Sequence, residues 1–279
     1  METIKNIITD NDKRGISMLL PHVSDTVCED AANIILNNPN KAIILTGFYI
    51  LSAGAAETDG PIGAIAIGNA LKKIGYQVTY ITDEFSQPPI KKVLSADDNL
   101  EIFPMQNHEQ SALTADKMIS DLNPSLIISI ERCGPTVDGD YLNSRGKKIE
   151  EFNSKTEYLL NNNIPSIGIG DGGNEIGMGN LKHIIKNSTE LSNPPCITTT
   201  DLLIPASTSN WGGYGLVAGL SKITNKNLLP SIPEDEKLIK DFVDAGGVDG
   251  ITATSSYKVD SFELEVNSSI LNRLHKLIQ

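Results

Sequence analysis

The sequence predicts an α/β fold in which a mostly parallel, doubly wound sheet carries helices on both faces. Three observations carry this expectation. Short aliphatic runs alternate with longer amphipathic stretches along the chain, as parallel strands joined by crossover helices require. Gly or Asp follows most of the runs closely. Aromatic residues are only 5% of the 279, while glycines number 23 and prolines 14, which favours aliphatic strands and Gly-rich loops over an aromatic β-sandwich.

Lys41 to Thr46 is the first strand and breaks at Gly47. A polar, Gly-rich loop runs to Gly60, and a helix starts at Pro61, a residue suited to the first helical position. Ala64, Ile67, Leu71 and Ile74 share one face of that helix, and Gly75 is its natural stop. Gln77 to Thr82 is the next strand, closed by Asp83, and Asn99 to Phe103 is a third. A helix near Ser111–Leu122, capped by Ser111, leads to the strand Ser125–Ile130. Lys148 to Leu160 reads as helical, and Ile164 to Ile169 as a strand ending in a glycine cluster. Ile197 to Ile204 contains one more strand, after which a helix opens at Asn210-Trp211, with Ser209 or Asn210 as its cap. The last helix spans about Phe262 to Ile278. No break in composition divides the chain, so a single Rossmann-like domain is expected over 1–279, with a core at about 14–262 and helical extensions at both ends.

Net charge is −12, from 23 basic and 35 acidic residues, which argues against a surface that tracks nucleic acid. No apolar run reaches the roughly 18–20 residues of a membrane span, so no membrane partner is expected. The polar start, Met1 to Arg14, reads as neither a signal nor a transit peptide. Three distant cysteines, Cys28, Cys133 and Cys196, point to a reducing, cytoplasmic setting. A homo-oligomer is allowed by the sequence but not specified by it.

Ligands of parallel α/β sheets sit beyond the carboxyl ends of the strands. The residues there are Gly47, Glu57, Thr58, Asp59 and Asp83 in the first half, then Glu131, Arg132, Asp138, Asp140 and Asn143. Asp171, Gly172, Gly173, Asn174 and Glu175 follow, with Ser209 and Asn210 last. Glycines among carboxylates let backbone approach a ligand, and crowded carboxylates call for a cation. A ligand ammonium or a hard divalent ion, Mg²⁺ or Ca²⁺, fits that need. Gly168-x-Gly170-x-x-Gly173 has the spacing of a dinucleotide fingerprint, but Asp171 and Glu175 would repel a pyrophosphate. The four histidines lie far apart and are expected at the surface, Cys133 reads as a small residue lining the site, and Trp211 reads as core.

Together, Thr46-Gly47-Phe48, Glu57-Thr58-Asp59-Gly60-Pro61-x-Gly63-Ala64, Thr82-Asp83 and Ile130-Glu131-Arg132 resemble the C-terminal domain of D-glutamate cyclases. So do Asp138-Gly139-Asp140-Tyr141-x-Asn143, the run Gly168 to Gly179, Ser209-Asn210-Trp211-Gly212-Gly213-Tyr214 and Val248-Asp249-Gly250-Ile251-Thr252. The resemblance implies a carbon–oxygen lyase that closes D-glutamate to 5-oxo-D-proline and water, with a small acidic amino acid as partner. Glu131 and Asp171, which follow their strands most closely, are the candidates for proton transfer, and Arg132 for holding the α-carboxylate. A domain that binds D-glutamate or 5-oxoproline without turnover, or an NAD(P)-binding oxidoreductase, are the alternatives.

Overall fold

The computed structural model describes residues 2–279. Helix α1 (Ile4–Ile8) and α2 (Val27–Asn37) precede the first strand, β1 (Lys41–Thr46). A small hairpin, β2 (Tyr49–Ile50) with β3 (Ala55–Ala56), occupies the loop before α3 (Pro61–Lys73). Then come β4 (Gln77–Thr82), α4 (Gln87–Val93), β5 (Asn99–Ile102), α5 (His108–Leu122) and β6 (Leu126–Ile130). The second half holds β7 (Ser166–Gly170), the short α6 (Lys182–Ile185), β8 (Leu202–Pro205), α7 (Ser209–Thr224) and α8 (Ile232–Asp244). A second hairpin, β9 (Lys258–Val259) with β10 (Phe262–Glu263), leads into α9 (Leu264–Leu277).

Six strands form one wholly parallel sheet in the order β5-β4-β1-β6-β7-β8. Counting sheet strands alone, this is 3-2-1-4-5-6, the doubly wound order whose direction reverses between β1 and β6. The loops leaving those two strands therefore diverge and open a crevice. Alternation along β1 builds the layers on either side. Ala42 and Ile44 pack with α2, α3 and α7 on one face, while Ile43 and Leu45 pack with α5 and Leu159 on the other. Ile4, Ile7 and Ile8 of α1, and Ile270, Leu271 and Leu274 of α9, belong to the first of these cores, so the terminal helices are part of its packing.

Helix α3 ends where its sequence says it should. Gly75 takes φ +96°, the N–H of Tyr76 reaches the carbonyl of Leu71 and that of Gly75 the carbonyl of Lys72, closing the last turn. Other boundaries moved. Helix α5 starts at His108 under an Asn107 cap, and Ser111 is buried inside it. The expected helix over Lys148–Leu160 is instead two 3-10 turns, Glu150–Phe152 and Thr156–Leu160. Between them the Ser154 carbonyl accepts from Arg132 and the Asn153 amide donates to the Cys133 carbonyl, contacts that compete with a helical ladder. The strand within Ile197–Ile204 is only Leu202–Pro205, because the Thr198 carbonyl turns to the N–H groups of Gly177 and Gly179. Four helices, α2, α4, α6 and α8, lie outside the elements expected from the sequence.

Helix α7 is buried from Ser209 to Ser221, as its lack of a polar face requires. It lies against α2 and α3 through glycines: a Cβ on Gly219 would stand 2.4 Å from the Cys28 carbonyl oxygen, and one on Gly213 would stand 3.1 Å from Gly63 Cα. Alanine is favoured over glycine in a helix by about 1 kcal/mol. At Gly219 the sign reverses, and Gly219→Ala is expected to destabilise by about 1–3 kcal/mol through overpacking. Urea denaturation checks this, since a variant at or above wild-type stability would mean α2 and α7 are free to part.

Candidate active site

The crevice beyond β1 and β6 holds a cavity of about 210 Å³. Its walls come from the first hairpin, the end of β6, the Asn143–Lys147 loop and the Gly250–Asp260 region. Next to Glu131, two helix starts cap each other. Asp59 precedes α3, and its two oxygens accept from the backbone N–H groups of Ser209 and Asn210 at 2.8 and 2.7 Å, at the start of α7. Asn210 returns the favour: its Oδ1 accepts from the N–H groups of Gly60 and Gly63 at 2.9 and 2.7 Å, at the start of α3. Its amide donates to the Thr58 carbonyl at 3.0 Å. Each helix dipole thus meets an oxygen from the other's first turn. Thr208, rather than Ser209 or Asn210, is the side-chain cap of α7.

Glu131 stands at the end of β6 with φ +45°, an unusual conformation for a side-chain-bearing residue and a common one at functional sites. That turn aims its carboxyl at the cap, where Ser209 Oγ donates to Oε2 at 2.5 Å. Gly60, at φ +92°, is needed beside it, since a Cβ there would lie 2.5 Å from the Glu131 Cβ. Around Glu131 gather Glu57, Asp59, Asp171, Glu175 and Asp260, all buried. Among the described residues, the ion pairs to this group come from Arg14, whose Nη1 lies 2.9 Å from both Asp171 Oδ2 and Asp260 Oδ2. Asp12 holds the loop that presents Arg14, accepting from the N–H groups of residues 14 to 17.

Crowding and burial dominate the electrostatics. Burial pushes the Glu131 carboxyl well above the usual range, reinforced by Glu175 and Asp59 and opposed by Arg14 and Ser209. Burial also raises Glu57, with Glu131, Asp260 and Asp59 adding to it. Asp171 is raised by burial against the pull of Arg14, and Asp59 is pushed up to about 7 although two amides stabilise its charge. Arg14 itself is held well above its ordinary value by Asp171, Asp260, Glu131 and Glu175, which outweigh the cost of burial.

Of the residues expected at the site, Glu57, Glu131, Asn143 and Asn174 line the cavity. Asp171 lies behind Arg14, and Thr58 fixes the walls by donating from Oγ1 to the Lys258 carbonyl. Arg132 is not free for a ligand carboxylate. Its guanidinium is fully buried, pairs with Asp83, and donates to the Gly47 carbonyl, Ser154 and Thr156, so Gly47, Asp83 and Arg132 brace the loops from behind. Asp138 is exposed and Asp140 pairs with Lys148 at 2.6 Å, outside the carboxyl group, because the hairpin they occupy points to solvent. The Gly172 and Gly173 amides, which a pyrophosphate would need, both donate to Glu175 at 2.8 Å. A 3-10 turn at Met178–Leu181 follows that loop, so the fingerprint lacks its helix. Cys133 is buried, and burial with Cys196 nearby pushes its thiol far up, which removes it as a nucleophile. Trp211 is core, donating to Asn267 Oδ1 at 2.6 Å.

Arg14 and Asp260 are the contributors that sequence reasoning missed. Asp260 sits with Ser261 in the two-residue turn between β9 and β10, both at positive φ, a type I′ geometry that usually advertises itself with glycine. Arg14 left one signal: it is among the few arginines of an acidic chain.

Residues 4–275 match the family described as D-glutamate cyclase-like, C-terminal. The human mitochondrial D-glutamate cyclase is 29% identical over 235 residues, covering 76% of this chain and 37% of that protein. The chain therefore spans little more than a third of that relative's length. Among solved structures, an exopolyphosphatase-related protein from Bacteroides fragilis covers 91% of this chain and 57% of its own, with a TM-score of 0.46 and 11% identity. No helix among the described residues is long and apolar enough to cross a membrane.

The carboxyl shifts predict how stability follows pH. Asp59 ionises near 3.8 when unfolded and about 7 when folded. Its contribution is complete below pH 4 and is lost as pH rises toward 7, because the folded state resists ionisation. Glu57, Glu131 and Asp171 shift in the same direction and extend the loss upward. The melting temperature of ligand-free protein is expected to fall between pH 5 and 8, more steeply for Arg14→Gln. A flat profile for both proteins would count against the buried charge cluster.

Proposed function

The chain belongs to the D-glutamate cyclase-like, C-terminal family, and from that premise we propose that it is a carbon–oxygen lyase converting D-glutamate to 5-oxo-D-proline and water. The observation that carries the reading is the crowd of buried carboxyl groups at the cavity, with Glu131 lining it and Asp171 directly behind.

Ring closure forms a bond from the amine nitrogen to the γ-carbonyl carbon and breaks a C–O bond of the γ-carboxylate. The ammonium gives up two protons and the departing oxygen takes two, leaving as water. A site for this step needs carboxyl groups in both protonation states at one pH. Mutual repulsion provides them, since neighbouring acids cannot all ionise together. Glu131 lines the cavity and is the proton-transfer group, its oxygen oriented by the Ser209 hydroxyl. Asp171 is a positioning residue. Its oxygens lie within 4.8 Å of those of Glu131 and Glu175, so its charge acts on both, and it holds Arg14 in place. Enclosure of both ends of the substrate in one cavity adds the benefit of orientation.

The proposal extends to a hard cation. Asp59, Asp171 and Asp260 form one trio, and Glu131, Asp171 and Glu175 another, each with oxygens within 4.8 Å of one another. All-oxygen donors with excess negative charge fit Mg²⁺ or Ca²⁺, which would relieve the repulsion and polarise a bound carboxylate. Dialysis against EDTA is expected to lower the melting temperature and the activity, and Mg²⁺ to restore both. Unchanged activity and melting after exhaustive chelation would remove the ion from the proposal.

Incubation of the protein with D-glutamate, followed by chiral chromatography, should yield 5-oxo-D-proline. Glu131→Gln is expected to lose about 10²–10⁴-fold in turnover, the usual worth of an acid–base group. Asp171→Asn is expected to lose at least about 100-fold and to remain folded. Saturable binding of D-glutamate without product would replace the reaction by a binding function. Absence of both product and binding would overturn the proposal.

A further inference from the structure

We propose that Arg145 and Lys147 form a carboxylate clamp at the mouth of the cavity, which admits an amino-acid ligand ammonium-first. The inference rests on the reading of this cavity as an amino-acid site. It moves recognition of the ligand's carboxylates from the buried Arg132 to the loop 143–147 that lines the cavity.

The cavity is electrically two-ended. Glu57, Glu131 and Asp260 supply its acidic lining, and the loop 143–147 brings Arg145 and Lys147 to the same space. Among the described residues neither cation forms an ion pair, in a chain where acidic residues outnumber basic ones by 35 to 23. Surface lysines and arginines in so acidic a protein have carboxylates at hand. Two left without one, at the rim of the cavity, are available to an anion from outside the chain.

The loop is built to hold them there. Asn143 Oδ1 accepts from the backbone N–H groups of both Arg145 and Lys147 at 3.0 Å. The Asn143 N–H donates to the Lys147 carbonyl, and the Gly146 N–H to the Asn143 carbonyl, each at 2.9 Å. Gly146, at φ +70°, makes the tight turn that this closure needs. Below it, Leu142 bridges to Lys148, and Lys148 pairs with Asp140. Asn143 thus acts on the ligand through the loop it organises. An ordered backbone reduces the entropy lost when the two side chains close on an anion.

Charge sets the orientation of the bound molecule. An ammonium is favoured beside Glu57, Glu131 and Asp260, and repelled by the rim. A carboxylate is repelled by those acids and held at the rim, by the planar fork of Arg145 and by Lys147. The class selected is a small amino acid with at least one carboxylate at a distance from its ammonium, and a second carboxylate gives each rim cation a partner.

Calorimetric titration tests this without requiring turnover, with D-glutamate, glutarate and D-2-aminobutyrate as probes. Wild-type protein is expected to bind D-glutamate more tightly than D-2-aminobutyrate, which lacks the γ-carboxylate, and to bind glutarate measurably. A charged hydrogen bond of ordinary strength corresponds to about 10- to 100-fold in affinity. Arg145→Ala and Lys147→Ala are each expected to weaken D-glutamate and glutarate by that factor, with a smaller effect on D-2-aminobutyrate and unchanged melting temperature. Arg145→Lys should recover part of the loss. In turnover, the variants should raise KM and leave kcat nearly intact. Variants that bind all three probes as wild type does, or wild-type protein that binds none at millimolar concentration, would overturn the clamp. Wild-type binding without conversion would leave the clamp standing and remove the cyclase reading, whereas conversion with an unchanged KM in both variants would do the reverse.

Discussion

The structure depends on the reciprocal capping of α3 and α7. Asp59 supplies the oxygens for the start of α7 and Asn210 those for the start of α3, so neither helix can be placed without the other. The two helices pack closely through Gly63 and Gly213, and the backbone amides at their paired N-termini are taken up by each other's side-chain oxygens. Glu131 is oriented by these paired helix starts through Ser209. A change at any of these positions acts on fold and site together.

Around these helix starts charge is unequally distributed. Arg132 and Asp83 form a fully buried pair, the guanidinium also donating to the Gly47 and Ser154 carbonyls and Asp83 accepting from the N–H groups of Phe85 and Ser86, an arrangement whose partners are costly to separate. The carboxyl group around Arg14 is the opposite case: six acids are held by the surrounding backbone with a single guanidinium among them. One half of the crevice is electrostatically complete and rigid, and the other retains an appetite for positive charge. Natural sequences concentrate such local conflicts where function requires them.

Much of this was legible in the sequence. The aliphatic runs at Lys41–Thr46 and Leu126–Ile130, and the β-branched run Gln77–Thr82, marked the sheet, because strands buried on both faces are mostly apolar or β-branched. Glu57, Glu131 and Asn174 were found by following each strand to its carboxyl end. What failed did so for identifiable reasons. Arg132 and Asp83 looked like site residues, since local sequence does not distinguish a charge that faces a ligand from one that faces another side chain. Lys148–Leu160 has helical composition, but its backbone is drawn into side-chain contacts with Arg132 and Cys133. Arg14 and Asp260 lie in segments without strand or helix periodicity, and only the fold brings them to the carboxylates.

Arg14 and Asp260 are 246 residues apart and meet over the same few ångströms of the cavity. During synthesis Asp171 follows its partner Arg14 by 157 residues. The second partner, Asp260, arrives with the turn between β9 and β10, after all six strands of the sheet. Non-local closures of this length form late, after the chain entropy they cost has been reduced by earlier structure. The cavity is therefore completed after the sheet, and a nascent chain carries a finished sheet before it carries a finished site.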